Sequence, residues 1–189
     1  MNNNKKLILG SGSPRRKEIL QQAGFDFEII KSGVEEVYPQ KLEAGKIPEY
    51  LAKLKADDLK PKLTEGAILL TADTLVFCDG EILGKPKNRA EAIAFIQQLS
   101  GKTHEVIGGY CLTTPEKQIC FSDTTKVFFK KLSQEEIEHY VDQYQPYDKA
   151  GAYAIQEWIG LIGIEKIEGS YFNVVGLAMH KVYEYLQEF

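Results

Sequence analysis

Apolar positions along the chain fall into short runs and helical repeats, and the two kinds alternate from the start. Residues 7–9 (LIL) are a brief apolar run that breaks into Ser-Gly-Ser, the pattern of a buried strand entering a turn. Ser13 then reads as an N-cap and Pro14 as the first helical residue, where a missing N–H costs nothing. That helix should end near Gly24, with residues 25–31 extended and the polar stretch 39–46 a loop. Residues 47–59 predict a helix with Leu51, Leu54 and Leu59 on its inner side. Residues 67–72 (AILLTA) suit a central strand, and residues 74–83 a hairpin that turns at Asp79-Gly80.

Two helix starts are marked by side-chain chemistry. Asn88 with Glu91 opens a helix running to about Leu99, and Ser133 with Glu136 forms a capping box for residues 134–144. Residues 104–112 and 118–129 read as two long strands between them. Residues 175–186 read as a last helix with Val175, Met179, Val182 and Leu186 inward. No internal repeat, low-complexity tract or linker interrupts the 189 residues, so one domain over 1–189, or two small lobes, is expected. Helices and strands alternate at the start and hairpins dominate the middle, which predicts a mixed α/β sheet with helices in two lobes beside a cleft.

Composition narrows the function more than the fold. The net charge of −4 and the pI near 5.5 argue against a nucleic-acid binder held by general electrostatics. No apolar run approaches the roughly 18 residues of a membrane span. The polar start, MNNNKK, is followed by too few apolar residues for a signal peptide. Cys78, Cys111 and Cys120 are odd in number and lack a CxxC spacing, so they are expected as small buried thiols in a reducing, cytoplasmic compartment. His104, His139 and His180 have no metal-ligand spacing.

Candidate chemistry begins at the turn SGSPRR. Arg15 and Arg16 place two cations at a helix start, where the macrodipole disfavours positive charge. With Ser11, Ser13 and the free N–H groups of the helix they would cradle an anion. The same six residues also read as a Pro-initiated helix with solvated arginines. Asp73 closes the apolar run 68–72 and is expected at a strand end, a common station for a metal ligand or base. Lys85, held between Gly84 and Pro86, could be aimed at a phosphate; Glu36 and Lys55 are further charged candidates. In DKAGAYAIQ, residues 148–156, small residues would let backbone approach a ligand, and the Gln156 amide can both donate and accept. Taken singly, each of these also reads as ordinary surface or turn chemistry.

In this order the stretches SGSPRR, the Glu36 region, LAKLKA, ADT, GEILGKP, LSGKTHEV, DKAGAYAIQ and GSYFNVVGL resemble the Maf family of nucleoside triphosphate pyrophosphatases over nearly the whole chain. The resemblance implies an elongated mixed sheet similar to inosine triphosphatase, with a substrate cleft between two lobes. It implies hydrolysis of a nucleoside triphosphate to the monophosphate and pyrophosphate, with a divalent metal (Mg²⁺ or Mn²⁺), in a homodimer. Asp73 matches the family's base, Glu36 its metal-side glutamate, and Lys55 and Lys85 its lysines. Arg15, Thr74 and Gln156 match the branch acting on dTTP and UTP, rather than the branch similar to 7-methyl-GTP pyrophosphatase. Ala154, Glu157 and Ala178 depart from the family pattern, the first two beside Gln156. A rival of another class is a regulator of cell division that binds a nucleotide without cleaving it. The paired carboxylates argue against that rival, because a pure binder of a polyanion has little use for them.

Overall fold

The computed structural model describes residues 6–189; the polar start discussed above lies almost wholly outside them. Seven strands form one mixed sheet in the order β2-β1-β3-β5-β6-β7, with β4 paired to β3. β1 (Lys6–Leu9) runs parallel to β2 (Phe27–Ile29) on one side and to β3 (Ala67–Cys78) on the other. β4 (Glu81–Leu83) folds back antiparallel on β3 through Asp79 and Gly80, both with positive φ, as a tight hairpin requires. β5 (Thr103–Thr113) and β6 (Gln118–Phe129) are joined by a short turn, and β7 (Ile164–Glu168) lies antiparallel on β6.

The chain divides into two compact units, and the long strands β3, β5 and β6 contribute to both. The first unit takes its residues from the chain up to Asp73, from Gly108–Asp123 and from Gly176–Phe189. It holds α1 (Pro14–Gln22), α2 (Ile47–Leu59) and α7 (Met179–Leu186). One of its apolar clusters joins Ile8, Ala52, Ala56, Leu59, Ala67, Leu69 and Cys111. The second unit comprises Thr74–Ile107 and Thr124–Val175. It holds α3 (Arg89–Leu99), α4 (Gln134–Tyr144), α5 (Trp158–Gly163) and α6 (Tyr171–Val175), around a core that includes Ile96, Leu99, Val127, Phe129, Tyr140 and Ile159.

Both predicted helix starts close as their residue types require. Asn88 Oδ1 accepts the Glu91 N–H at 3.0 Å, and Ser133 and Glu136 form the full reciprocal box. The Glu136 carboxylate is held below its ordinary pKa, first by the Ser133 N–H and then by Lys130.

Four expectations are corrected. Asp73 is not at a strand end: Thr74 to Phe77 are themselves good strand formers, so β3 runs on to Cys78. The closing helix is broken. α6 ends at Val175, Gly176 takes φ 136°, and α7 begins at Met179, so Val175 shares no face with Met179. On α2 the buried side is Leu51, Ala52, Ala56 and Leu59, while Leu54 is half-buried. Finally, Cys111 and Cys120 are disulfide-bonded, and Cys78 alone is a free, buried thiol. The nine-residue spacing places the pair on neighbouring strands with Cα atoms 4.1 Å apart, within bridging reach.

Close packing fixes where α2 sits. A Cβ on Gly109 of β5 would lie 2.0 Å from the Pro48 carbonyl carbon and 2.1 Å from the Glu49 nitrogen. The helix start therefore rests directly on strand backbone. Thr71 adds a second fixing point, its hydroxyl donating to the Ala52 carbonyl at 2.7 Å. Gly109→Ala should destabilise the protein by about 3 kcal/mol or more, because neither backbone can yield. A denaturant midpoint close to that of the native chain would contradict this.

In the second unit His104 is buried, with Nε2 2.7 Å from the Tyr153 hydroxyl and Nδ1 without a partner among the described residues. Desolvation lowers its pKa from 6.5 to about 4. The native state thus holds the neutral ring, while the unfolded chain takes up a proton below its ordinary pKa. The resulting stability is full above about pH 6.5 and is lost as pH falls towards 4, by about 3 kcal/mol in total. His104→Gln should flatten that part of the stability–pH curve, as followed by urea unfolding between pH 7 and 4. An unchanged slope would remove His104 as its source.

Candidate functional site

β1 carries the chain straight into the SGSPRR turn. Leu9 pairs with Leu70, and the Gly10 N–H donates to the Leu70 carbonyl at 2.8 Å. Past that point β1 has left β3, and the Ala72 carbonyl accepts instead from Arg16 Nη1 at 2.9 Å. Arg16 also donates to Ser11 Oγ at 3.1 Å and, through Nε, to the Gly176 carbonyl at 3.0 Å. Its guanidinium therefore binds the turn, the strand and the loop before α7 into one frame. Burial lowers its pKa, and Asp73 is foremost among the charges that offset the effect.

Ser13 caps α1 by position, with extended backbone and Pro14 as the first helical residue, but its side chain accepts no capping hydrogen bond. The Ser13 N–H instead donates to Ser11 Oγ at 3.2 Å. Arg15 is half-buried on the same first turn.

Asp73 lies two residues beyond Thr71 on β3, on the same face of the strand. Thr71 meets Ala52 of α2, and one helical turn on, at Lys55, the next side chain faces the strand. Strand period and helix period thus coincide, and Lys55 Nζ lies 2.6 Å from Asp73 Oδ1. The same ammonium is 2.9 Å from Glu36 Oε1. The side chains of Lys55 and Asp73 are 11% and 16% exposed and that of Glu36 is 55% exposed, so the triad opens to solvent on the glutamate side. The Glu36 loop is itself docked on α2: Asp58 accepts the Ser32 hydroxyl at 2.7 Å, and Ser32 Oγ accepts the Val34 N–H at 3.2 Å.

The first unit therefore brings together Ser11, Ser13, Arg15, Arg16, Glu36, Lys55 and Asp73. The remaining predicted residues belong to the second unit. Thr74 follows Asp73 on β3, while Lys85 and Gln156 are exposed. The Gly84 carbonyl accepts the Gly151 N–H at 3.0 Å, so the Lys85 turn is tied to the segment leading to Gln156.

Two features differ from the sequence reading. The glycine of DKAGAYAIQ does not open space for a ligand. A Cβ on Gly151 would meet Val76 at 3.0 Å, its φ is 68°, and the Gly151 and Ala152 N–H groups are bonded to Gly84 and Lys149. Ala150–Ala152 form a packed 3₁₀ turn. Conversely, Lys31 carries no sequence signal of a role, yet its side chain passes over the SGSPRR turn. A Cβ on Gly12 would meet its Cε at 2.9 Å and its Nζ at 3.4 Å. Lys31 comes to Gly12 because β2, which it follows, lies parallel beside β1, a pairing that no stretch of the sequence displays.

Among the described residues no group of three or more His, Cys, Asp or Glu side chains could hold a metal ion. Two carboxylates do converge, on Lys55. That donor set is too small for an all-protein cage but suits Mg²⁺, which is commonly held by one or two carboxylates together with substrate phosphates. No helix among the described residues is long and apolar enough to cross a membrane.

The family model for Maf-like protein matches residues 6–189. A dTTP/UTP pyrophosphatase of Flavobacterium psychrophilum is 51% identical over 183 residues, 97% of this chain and 94% of that one. The dTTP/UTP pyrophosphatase of Bacteroides thetaiotaomicron is 47% identical over 184 residues, 97% and 95% of the two chains. Among solved structures, the Staphylococcus aureus Ham1 protein matches with a TM-score of 0.58 over 97% of this chain and 99% of its own. At 14% identity that likeness is one of fold. A full-length family match and relatives near half identity, joined to an SGSPRR turn beside an Asp–Lys–Glu triad, place this chain in the Maf-like protein family.

Proposed function

We propose that this chain hydrolyses nucleoside triphosphates, dTTP and UTP by preference, to the nucleoside monophosphate and pyrophosphate. The observation that carries the reading is the convergence of Asp73 and Glu36 on Lys55, in the unit that also holds the SGSPRR turn. Two carboxylates beside a polyanion site are costly for a mere binder and useful for a hydrolase. The names of the relatives, dTTP/UTP pyrophosphatases, support the same substrate class.

Glu36 and Asp73 would hold a divalent cation, which when bound supplies positive charge at the α-phosphate and acidifies the attacking water. Asp73 accepts the water's proton through a carboxylate oxygen that Lys55 keeps in one orientation. The water oxygen bonds to the α-phosphorus, and the bond from that phosphorus to the α,β-bridging oxygen breaks. Pyrophosphate leaves with the electron pair. Arg15, Lys55 and Lys85 take the triphosphate oxygens, while Arg16 adds its charge and keeps Ser11 and the turn in place. Ser11 and Ser13 line that turn. Thr74 and Gln156 fall to nucleoside recognition, with Gln156 meeting the base edge. A cytoplasmic location, where nucleoside triphosphates are made, and a homodimer belong to the same reading.

The direct test is pyrophosphate release from dTTP, UTP, CTP, dGTP and 7-methyl-GTP, with Mg²⁺ and with EDTA. Release from dTTP and UTP that EDTA abolishes is expected, and Asp73→Asn should lower it by about 100-fold or more at unchanged circular dichroism. Nucleotide binding without pyrophosphate would return the protein to the non-hydrolysing class. Arg15→Trp should shift preference away from dTTP and UTP more than it lowers the melting temperature. A variant that ranked the five nucleotides as the native chain does would withdraw Arg15 from specificity.

A further inference from the structure

Gln156 sits on an irregular turn between the 3₁₀ turn Ala150–Ala152 and α5, with its side chain exposed. Uracil and thymine present a carbonyl acceptor at the position where cytosine presents an amino donor. An amide can satisfy either, so discrimination depends on the position from which it is presented. A residue outside helix and strand needs other groups to fix that position.

Tyr140, fully buried on α4, supplies one such group. Its hydroxyl accepts the Ala154 N–H at 3.2 Å and donates to Oε2 of Glu157. The residues on either side of Ile155 and Gln156 are thus tied to a single phenolic oxygen. The turn is closed again by its own backbone, with the Glu157 N–H donating to the Ala154 carbonyl at 3.1 Å. Oε1 of Glu157 lies 3.4 Å from Lys149 Nζ, which also meets Asp148 Oδ1 at 2.8 Å. Lys149 is itself buried, 8% exposed, and begins the segment that ends at Gln156. Burial, and next the Glu157 carboxylate, push the Tyr140 pKa well up, so the phenol stays a donor at physiological pH.

We infer that Tyr140, Glu157 and Lys149 form a clamp that positions Gln156 and sets the protein's selectivity between uracil-type and cytosine bases. These are positioning residues, acting through Gln156. The inference rests on the reading that Gln156 meets the nucleobase. Glu157 gives it a specific chemical content: the acceptor on the far side of Gln156 is a carboxylate side chain.

The experiment reads binding, so that it does not depend on turnover. Affinities for the α,β-methylene analogues of UTP and CTP are measured by calorimetry with Mg²⁺, for the native chain and for Tyr140→Phe, Glu157→Ala and Glu157→Gln. The native chain should favour the UTP analogue. Removing the Tyr140 hydroxyl with its two hydrogen bonds, or the Glu157 carboxylate, should narrow that ratio by about fivefold or more. Glu157→Gln still accepts from Tyr140 but gives up the charge that meets Lys149, so it should narrow the ratio less than Glu157→Ala does. In a Gln156→Ala background, adding Tyr140→Phe should leave the ratio unchanged. The clamp is overturned if the native chain does not discriminate the analogues. It is equally overturned if Tyr140→Phe and Glu157→Ala weaken both analogues alike, or if the ratio still moves without Gln156. Failure of the hydrolysis reading shows separately, as no pyrophosphate from UTP in the native chain.

Discussion

Asp73 and Glu36 meet on a single cation, Lys55. Two like charges near a half-buried position repel more strongly than in water, and a single ammonium at 2.6 and 2.9 Å turns that repulsion into a shared attraction. Much of the first unit is arranged so that this lysine arrives where it is needed. Gly109 lets the start of α2 touch β5, Thr71 holds Ala52, and Asp58 anchors the loop that brings Glu36. Moving α2 along its axis by one residue would rotate Lys55 away from the strand by about 100°. The site is therefore set by helix packing as much as by its charged groups.

The SGSPRR turn shows how a charged motif can work in two directions. Its sequence suggests two arginines reaching outward to an anion. The structure turns at least three of Arg16's hydrogen bonds inward, to Ser11, Ala72 and Gly176. A guanidinium suits this task because its donors form a rigid planar fork, whereas a lysine at that place would offer one mobile point of charge. The SGSPRR turn is thus braced by one of its own two arginines.

Local chemistry was legible in the sequence, and long-range chemistry was not. Ser133 with Glu136, Asn88 with Glu91, and Asp79-Gly80 each describe a closure made within four residues, and each forms as the spacing requires. Asp73 stands out in the sequence as a chemical residue but looks like a strand end, because a charged residue after an apolar run reads as an ending. Only pairing with β1 and β4 at opposite ends of β3 shows that the strand continues. Val175 kept a helical apolar spacing to Met179, but Gly176 at φ 136° breaks the path between them. The Cys111–Cys120 pair and the crossing of Lys31 over Gly12 depend on which strands become neighbours, a fact no window of residues contains.

The first unit is assembled from three separate stretches of chain, and this bears on the order in which the protein can mature during synthesis. Chains emerge from the amino end, at a pace slow enough for early segments to collapse before late ones exist. Arg16 appears early, whereas its acceptor at Gly176 and the helix that follows appear last. Until then the Tyr110 hydroxyl also lacks the Ala178 N–H it accepts in the finished fold. The second unit's segments end at Val175, so its core residues are all in hand before the first unit's closing piece is made. The nascent protein thus acquires its turn, triad and long strands well before it can brace them. A chain halted just short of Gly176 would carry every residue of the proposed site but not the Gly176 carbonyl that helps to fix Arg16.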